Sequence, residues 1–106
     1  MKIDVVILSQ CEAELKDFPK DVLGDLLDCV AKLRSGIKLS IPISRTMPSL
    51  GKAIHELRLK DRSGQFRVIY FVKVSDAIYL VHAFKKKTQQ TEQKDINVAL
   101  QRIKRL

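Results

Sequence analysis

Tryptophan is absent from this 106-residue chain, and cysteine, methionine and proline are scarce, at two, two and three copies. The two cysteines, Cys11 and Cys29, lack the Cys-x-x-Cys or Cys/His spacing of a metal site, so we expect buried free thiols. No apolar run approaches the roughly 20 residues that cross a bilayer, which argues against a membrane protein. Low-complexity tracts are also missing, and a hydrophobic fraction of 45% predicts a compact domain rather than a disordered chain.

Further absences limit the chemistry that the chain can perform. There is no P-loop, the histidines His55 and His82 are isolated, and the carboxylates are scattered, so neither a metal ion nor another cofactor is predicted. The first residues, MKIDVVILS, lack the long apolar stretch and cleavage site of a secretory signal, so we expect a cytoplasmic protein. The length fits one domain, residues 1–106, with a single modest core.

Acidic residues are the minority among the charges. The chain has 12 Asp and Glu against 20 Lys and Arg, which gives a net charge of +8. A small basic domain favours a polyanionic partner. The excess is concentrated between residues 58 and 87, where eight cations accompany two anions. This segment is therefore where we expect the functional surface.

The first third of the chain predicts a strand and two helices. A strand is expected at residues 3–8, and the capping box SQCE after it predicts a short helix that ends near Phe18. Pro19 suits the first turn of a second helix, which Gly36 would terminate. The apolar residues of this helix recur at helical spacing: Val22, Leu23, Leu26, Leu27, Val30 and Leu33. The two helices predict a hairpin with one apolar face.

The rest of the chain predicts a loop, a three-stranded meander and a last helix. Residues 37–52 contain two prolines and have mixed polarity, which indicates a surface loop. Strands are predicted at residues 53–60, 65–74 and 77–85. Thr91 is placed to cap a C-terminal helix. The predicted fold is therefore α+β: a small, antiparallel-rich β-sheet packed by an N-terminal helical hairpin and a C-terminal helix.

Strand register places the cations of the first two meander strands on one face. If the tetrapeptide DRSG forms the connecting loop, Arg58 pairs with Arg67. The apolar residues of both strands then face the helices, while Arg58, Lys60 and Arg67 converge on the open face. Like charges directly opposite each other destabilise a sheet. Folding alone therefore does not explain this arrangement.

Phe84 and a run of three lysines extend the basic face. A turn at residues 75–76 pairs Val74 with Ala77. Phe84 then lies beside Arg67 on the open face. Guanidinium groups bind phosphate through paired hydrogen bonds, and an aromatic ring stacks on an unpaired base. The face thus favours single-stranded RNA, and the alternative is a solvated surface with a solubilising KKK run.

Two segments resemble the RelE/ParE superfamily of type II toxin–antitoxin toxins, and more closely its HigB-like, phage-related branch: ELRLKDRSGQFRVIYF at Glu56–Phe71 and AIYLVHAFKKKTQQT at Ala77–Thr91. The segment QKDINVALQRIKRL resembles the family's terminal helix, whereas residues 1–50 are similar in helix pattern alone. The resemblance implies a RelE-like fold and a ribosome-dependent mRNA endoribonuclease that drives the RNA 2′-hydroxyl onto the neighbouring phosphate. It also implies mRNA, the ribosome and a cognate antitoxin, often with a helix-turn-helix domain, as partners. The +8 charge favours an antitoxin with an acidic contact segment.

Matched residue by residue, the resemblance implies four catalytic positions: Arg58, Lys60, Arg67 and Lys87. Arg67 would stabilise the transferring phosphate, and Lys60 or Arg58 would accept a proton or contribute charge. Lys87, or Lys86 if the register shifts, would neutralise or protonate the leaving oxygen. Basic and aromatic side chains would hold the nucleotides: Arg62, Phe84, Lys85 and Lys86.

The sequence leaves alternatives open both for the residue that acts as acid or base and for the class of function. Gln93 stands where some ribonucleolytic relatives have a tyrosine, which leaves the proton donor open. His82 is another candidate because histidine titrates near neutral pH, although a mid-strand histidine is more often packed. Two other functions fit the sequence: a ParE-like inhibitor of DNA gyrase, in which the basic face contacts protein, and a non-catalytic RNA-binding module.

Overall fold

The computed structural model describes residues 3–48, 50–51, 53–73, 77–87 and 91–106. In chain order the elements are β1 (Asp4–Ile7), α1 (Ser9–Leu15), α2 (Lys20–Arg34), β2 (Ser44–Thr46), β3 (Ile54–Asp61), β4 (Gly64–Lys73), β5 (Ala77–Lys86) and α3 (Gln93–Lys104). The strands form one sheet in the order β1-β5-β4-β3-β2, in which only the β1–β5 pair is parallel. No helix within the described ranges is long and apolar enough to cross a membrane. The predicted α+β class with an antiparallel-rich sheet is confirmed.

The β3–β4 hairpin fixes the register on which the site depends. Its turn is closed by Asp61, whose Oδ1 accepts hydrogen bonds from the backbone N–H and the hydroxyl of Ser63, at 2.8 and 2.6 Å. Gly64 follows with a φ of 148°, a conformation that residues with a Cβ atom rarely adopt. This turn sets Arg58 opposite Arg67, as predicted.

Each face of the sheet packs an apolar cluster. Because side chains alternate along a strand, Leu57 and Val68 point toward α1 and α2 and are fully buried there. Full burial of such a side chain contributes about 1.5–3 kcal/mol. On the opposite face Ile69 and Val81 pack against α3 through Ala99. The end of this second face that carries the arginines of the hairpin lies outside both apolar clusters.

Strand β2 lies in the segment that the sequence pattern predicts as a loop. Ser44 pairs with Leu57, and the Ser44 hydroxyl and the phenolic oxygen of Tyr70 share a buried hydrogen bond of 2.7 Å. The strand has three residues, which is too few to establish period-two alternation. The prediction of an uninterrupted loop over residues 37–52 is therefore wrong, because pairing with β3 and not local pattern defines β2.

Both predicted side-chain caps are wrong. The N-cap of α1 is Leu8, and no side chain forms a cap hydrogen bond there. The N-cap of α3 is Glu92, again without a side-chain cap bond. The hydroxyl of Thr91 instead donates to the carboxylate of Glu56 on β3. A tertiary contact thus replaces the local cap.

The β4–β5 pairing contains a register shift of one residue. On the hairpin side of the shift Phe84 lies opposite Arg67, as predicted. On the other side Ala77 lies opposite Lys73. The predicted pairing of Ala77 with Val74 is therefore wrong, because the register shift moves Ala77 by one residue. Val74 itself and the predicted turn that follows lie outside the described residues. The irregularity leaves the pairing around Arg67 unchanged, which is the part that positions the site.

Both cysteines are free and buried, as predicted. Burial, with the nearby carboxylate of Glu14, raises the pKa of Cys11 to about 12. Burial also raises the pKa of Cys29. Because the thiolate is the reactive form of cysteine, these protonated thiols serve as small apolar side chains of the core.

Candidate nucleic-acid interface

Four cations, one from each of β2, β3, β4 and β5, form what we call the basic cluster: Arg45, Arg58, Arg67 and Lys86. The pairing register places all four on one face of the sheet. Arg58 and Arg67 meet as the sequence predicts. Arg45 was missed because its strand, β2, was missed.

Arg67 is the buried member of the basic cluster, with 3% of its surface exposed. Its Nη1 donates to the carbonyl of Phe66 and its Nη2 to Oε1 of Gln65, at 3.0 and 2.8 Å. Its Nε lies 3.7 Å from Oε1 of Glu56 and has no hydrogen-bond partner among the described residues. Burial lowers the pKa of this guanidinium, Glu56 opposes the shift, and Arg58 adds to it. Arg67 is thus a fixed cation with N–H groups left to donate.

Glu56 is a carboxylate of this site that sequence reasoning missed. It is 4% exposed and accepts the hydrogen bond from Thr91, just before α3. A buried carboxylate requires a partner, and Arg67 supplies positive charge beside it. The alternation of β3 assigns Glu56 to the open face but does not distinguish it from a solvated acid. One carboxylate against four cations leaves the basic cluster strongly positive.

Lys86 differs from Lys87 in position and in environment. Burial lowers the pKa of the Lys86 ammonium, Arg67 lowers it further, Glu56 opposes this, and the other two arginines of the cluster add to it. Lys87 follows the end of β5 and is exposed. The register therefore brings Lys86, and not Lys87, into the basic cluster. A lysine with a lowered pKa exchanges its proton closer to neutral pH.

The other predicted site residues surround the cluster unevenly. Lys60 lies on the same face of β3 and is exposed, and Phe84 lies on that face of β5 and is half-buried. Arg62 lies in the exposed hairpin turn. Lys85 points to the opposite face, where its Nζ lies 5.8 Å from the centre of the Phe66 ring. Of these residues, Lys60 and Phe84 share the surface of the basic cluster.

A second charged group, which we call the His82 cluster, joins α1, β5 and α3 and consists of Glu14, His82, Asp95 and Arg102. Nδ1 of His82 lies 3.0 Å from each carboxylate oxygen of Glu14, and Nε2 lies 2.8 Å from Oδ1 of Asp95. Each ring nitrogen of His82 thus faces a carboxylate, and Nδ1 also lies 3.4 Å from Nη1 of Arg102. Arg102 donates from Nη1 and Nη2 to the two oxygens of Glu14, at 2.8 and 3.1 Å.

The His82 cluster also closes the edge of β5 beyond the end of β1. Oε1 of Glu14 accepts the backbone N–H of Ala83, at 3.1 Å, and Nη1 of Arg102 donates to the carbonyl of Val81, at 2.8 Å. Burial raises the pKa of Glu14, but the hydrogen bonds from Arg102, Ala83 and His82 outweigh it, so the pKa is lowered. His82 is 5% exposed, which places it inside a paired network rather than on the open face.

Comparison with known proteins agrees with this architecture. The model of the family described as Phage derived protein Gp49-like matches residues 13–104. Among solved structures, the chain is similar to a double arginine-to-alanine mutant of the E. coli toxin RelE in the free state, with a TM-score of 0.68 and 12% identity, over 100% of this chain and 99% of that one. No curated protein is significantly similar. The chain therefore belongs to the phage-derived Gp49-like family and has the RelE fold.

Proposed function

We propose that this protein is the toxin of a type II toxin–antitoxin pair and that it cleaves messenger RNA on the ribosome. The basic cluster is the observation that carries the proposal, because cations from four adjacent strands meet on one face although Arg58 directly opposes Arg67. Such like-charged pairs weaken a sheet, and a bound polyanion relieves the repulsion. Membership of a RelE-type family supports RNA as that polyanion. We assign the activity to one domain, residues 1–106, in the cytoplasm.

In the proposed reaction the 2′-oxygen attacks the neighbouring phosphorus and the bond to the 5′-oxygen breaks. The products carry a 2′,3′-cyclic phosphate and a 5′-hydroxyl, and negative charge builds up on the phosphoryl oxygens in the transition state. Arg58 and Arg67 stabilise this charge, for which a single fixed donor contributes a factor of about 10²–10³. Arg67 reaches the phosphate when the exposed side chain of Gln65 releases its Nη2.

Proton transfer is assigned to the lysines of the surface. Lys60 accepts the 2′-hydroxyl proton, or water accepts it while Arg58 acts as a purely electrostatic aid. Lys86 protonates the leaving 5′-oxygen in place of Lys87, because the register places its ammonium, whose pKa is lowered by burial and by Arg67, in the basic cluster. Phe84 stacks on a base, which contributes about 1–3 kcal/mol. Flanking phosphates are held by two exposed cations beside the cluster, Arg62 and Lys87. Lys85 is left out of this set because its side chain points to the opposite face.

Induction of the protein in bacterial cells, followed by mapping of 5′ ends on ribosome-bound messages, tests this function. We expect growth arrest and new ends inside coding frames, and neither effect for Arg58→Gln expressed at the same level. Arrest with intact messages and damaged DNA would identify a gyrase inhibitor instead. RNA binding without arrest or cleavage would identify a non-catalytic binding module.

A cognate antitoxin is the proposed partner, and its contacting segment is acidic because the toxin surface is strongly basic. Electrostatic attraction acts mainly on the association rate and is screened within about 8 Å at physiological salt. Copurification with the products of the neighbouring genes, followed by stopped-flow association at increasing salt, tests this proposal. Association should slow with salt more than dissociation accelerates. An association rate that does not change with salt would contradict an acidic contact segment.

A further inference from the structure

A groove of about 620 Å³ adjoins the basic cluster at the edge of the sheet. One wall is formed by α2 and the loop that follows it, and the other by the ends of β3 and β4. β2 pairs with β3 only as far as Leu57, so the edge of β3 at Lys60 faces the groove. Arg58 and Arg67 of the basic cluster line this same groove.

The α2 wall of the groove carries two carboxylates, Asp25 and Asp28, together with one cation, Lys32. They are three residues apart, so they share one face of the helix. Both are exposed, and in the part of the chain that the structure describes neither forms an ion pair with Arg58 or Lys60. The groove therefore presents two carboxylates beside one lysine on the α2 wall and an excess of cations on the other wall. A ligand that carries both a negative group and hydrogen-bond donors would satisfy both walls.

Arg67 is the buried cation of this groove. It lines the groove, is 3% exposed, and its Nε has no hydrogen-bond partner among the described residues. This Nε lies 3.7 Å from the carboxylate of Glu56, so the part of Arg67 that a ligand in the groove can reach is Nη2. Gln65, which holds Nη2 of Arg67, is exposed and also lines the groove.

We propose that the groove binds a guanine base of the RNA substrate, with the phosphate of the nucleotide on Arg58 and Lys60 and the edge of the base on Asp25 and Asp28. This inference rests on the proposed function, since it takes RNA as the substrate class. Guanine presents two adjacent donors, N1–H and its N2 amino group, and one carboxylate accepts both. Adenine and cytosine present a single amino group, and uracil a single N–H. The groove thus gives a base preference to chemistry that otherwise acts on any phosphodiester.

The two aspartates have an ordinary alternative, which is a solvated helix face with no ligand. In that case replacing them by asparagine raises the affinity for every RNA, because negative potential close to the phosphates is removed. The proposal predicts a different result for guanine. Affinity for a guanine-containing RNA falls relative to that for other RNAs, so the ratio of affinities separates the two explanations.

Equilibrium binding of short fluorescent RNAs to the full chain provides the test. The RNAs have 2′-O-methyl sugars, which block the attack, and differ at one position that carries guanosine, inosine or uridine. Inosine lacks the N2 amino group, so we expect it to weaken binding to the wild type roughly tenfold, as for loss of a bidentate base contact. The double variant Asp25→Asn/Asp28→Asn should bind the guanosine and inosine RNAs equally.

The matched control is Asp17→Asn/Asp21→Asn, which removes the same charge from exposed residues that do not line the groove. It should keep the preference of the wild type for guanosine. Equal binding of all three RNAs by the wild type, or an unchanged preference in the groove variant, would overturn the proposal. Cleavage of messages without guanine preference refutes the groove alone, whereas guanine preference in a protein that cleaves no message supports the groove and refutes the ribonuclease.

Discussion

The two charged clusters of this protein lie on the same small sheet and have opposite organisation. In the His82 cluster every side chain has a hydrogen-bond partner within 3.1 Å, and the hydrogen bonds join three elements of the fold. In the basic cluster four cations share one carboxylate, which is 3.7 Å from its nearest guanidinium nitrogen. A cluster whose side chains are all hydrogen-bonded to each other contributes to folding. A cluster with an excess of positive charge is instead explained by a ligand outside the chain. Opposite effects of mutations in the two clusters would test this distinction.

The largest expected effect is on activity and comes from the basic cluster. Arg58→Gln removes one donor from the proposed phosphate site, so cleavage of ribosome-bound message should fall by a factor of about 10²–10³. The matched control is Lys16→Gln, at an exposed position outside the basic cluster. It should leave the rate unchanged. Rates are measured by primer extension on purified ribosomes. Equal rates for both variants would remove Arg58 from the site.

The next effect is on stability and comes from the His82 cluster. Glu14→Ala leaves Arg102, His82 and the N–H of Ala83 without their shared acceptor, so the free energy of unfolding should fall by about 3 kcal/mol. Glu12→Ala, at an exposed position of the same helix, should have little effect. Urea unfolding followed by circular dichroism measures both. A loss below the scatter of the control would mean that the network is not a stabilising one.

Lowering the pH should remove the stabilisation that Glu14 contributes to the His82 cluster. Hydrogen bonds lower the pKa of Glu14 in the folded protein below its ordinary value of 4.5, so its carboxylate contributes stability that is present above that value and is lost as the pH falls through the folded pKa. Unfolding curves of the wild type and Glu14→Gln should therefore converge as the pH is lowered below 4.5. A constant difference at all pH values would contradict this assignment.

The smallest expected effect has the opposite sign. Arg58→Gln removes a like-charged cross-strand pair, so the variant should be more stable than the wild type by about 0.5 kcal/mol at low salt. Added salt should shrink the difference, because screening already relieves the repulsion in the wild type. A destabilised Arg58→Gln would mean that the basic cluster contributes to folding, and the contrast between the two clusters would be lost.

Sequence patterning predicted the parts of the fold that depend on local alternation and turns. The hairpin turn and the period of two placed Arg58 opposite Arg67 and Phe84 beside them, because register follows from the turn. Patterning missed β2, whose three residues carry no periodicity. It missed Arg45 for the same reason, since a cation in a loop has no predicted neighbours.

The His82 cluster shows why the rest was out of reach. Glu14 lies 68 residues from His82, and Asp95 lies 13 residues from it, so no spacing motif connects them. Patterning indicated only that His82 is a mid-strand histidine, which is usually packed. Glu56 was missed for the same reason, because its partner Thr91 is 35 residues away, just before α3. Long-range polar pairs have no local signature.

The pairing of Glu14 with Arg102 also has a consequence for biosynthesis. The two residues are 88 positions apart, and at a synthesis rate of about 5–20 residues per second the second follows the first by roughly 4–18 s. Throughout this interval the nascent chain holds the carboxylate of Glu14 without its guanidinium. A message truncated before codon 102 yields a chain in which this contact never forms. Completion of this contact is thereby tied to the synthesis of residue 102.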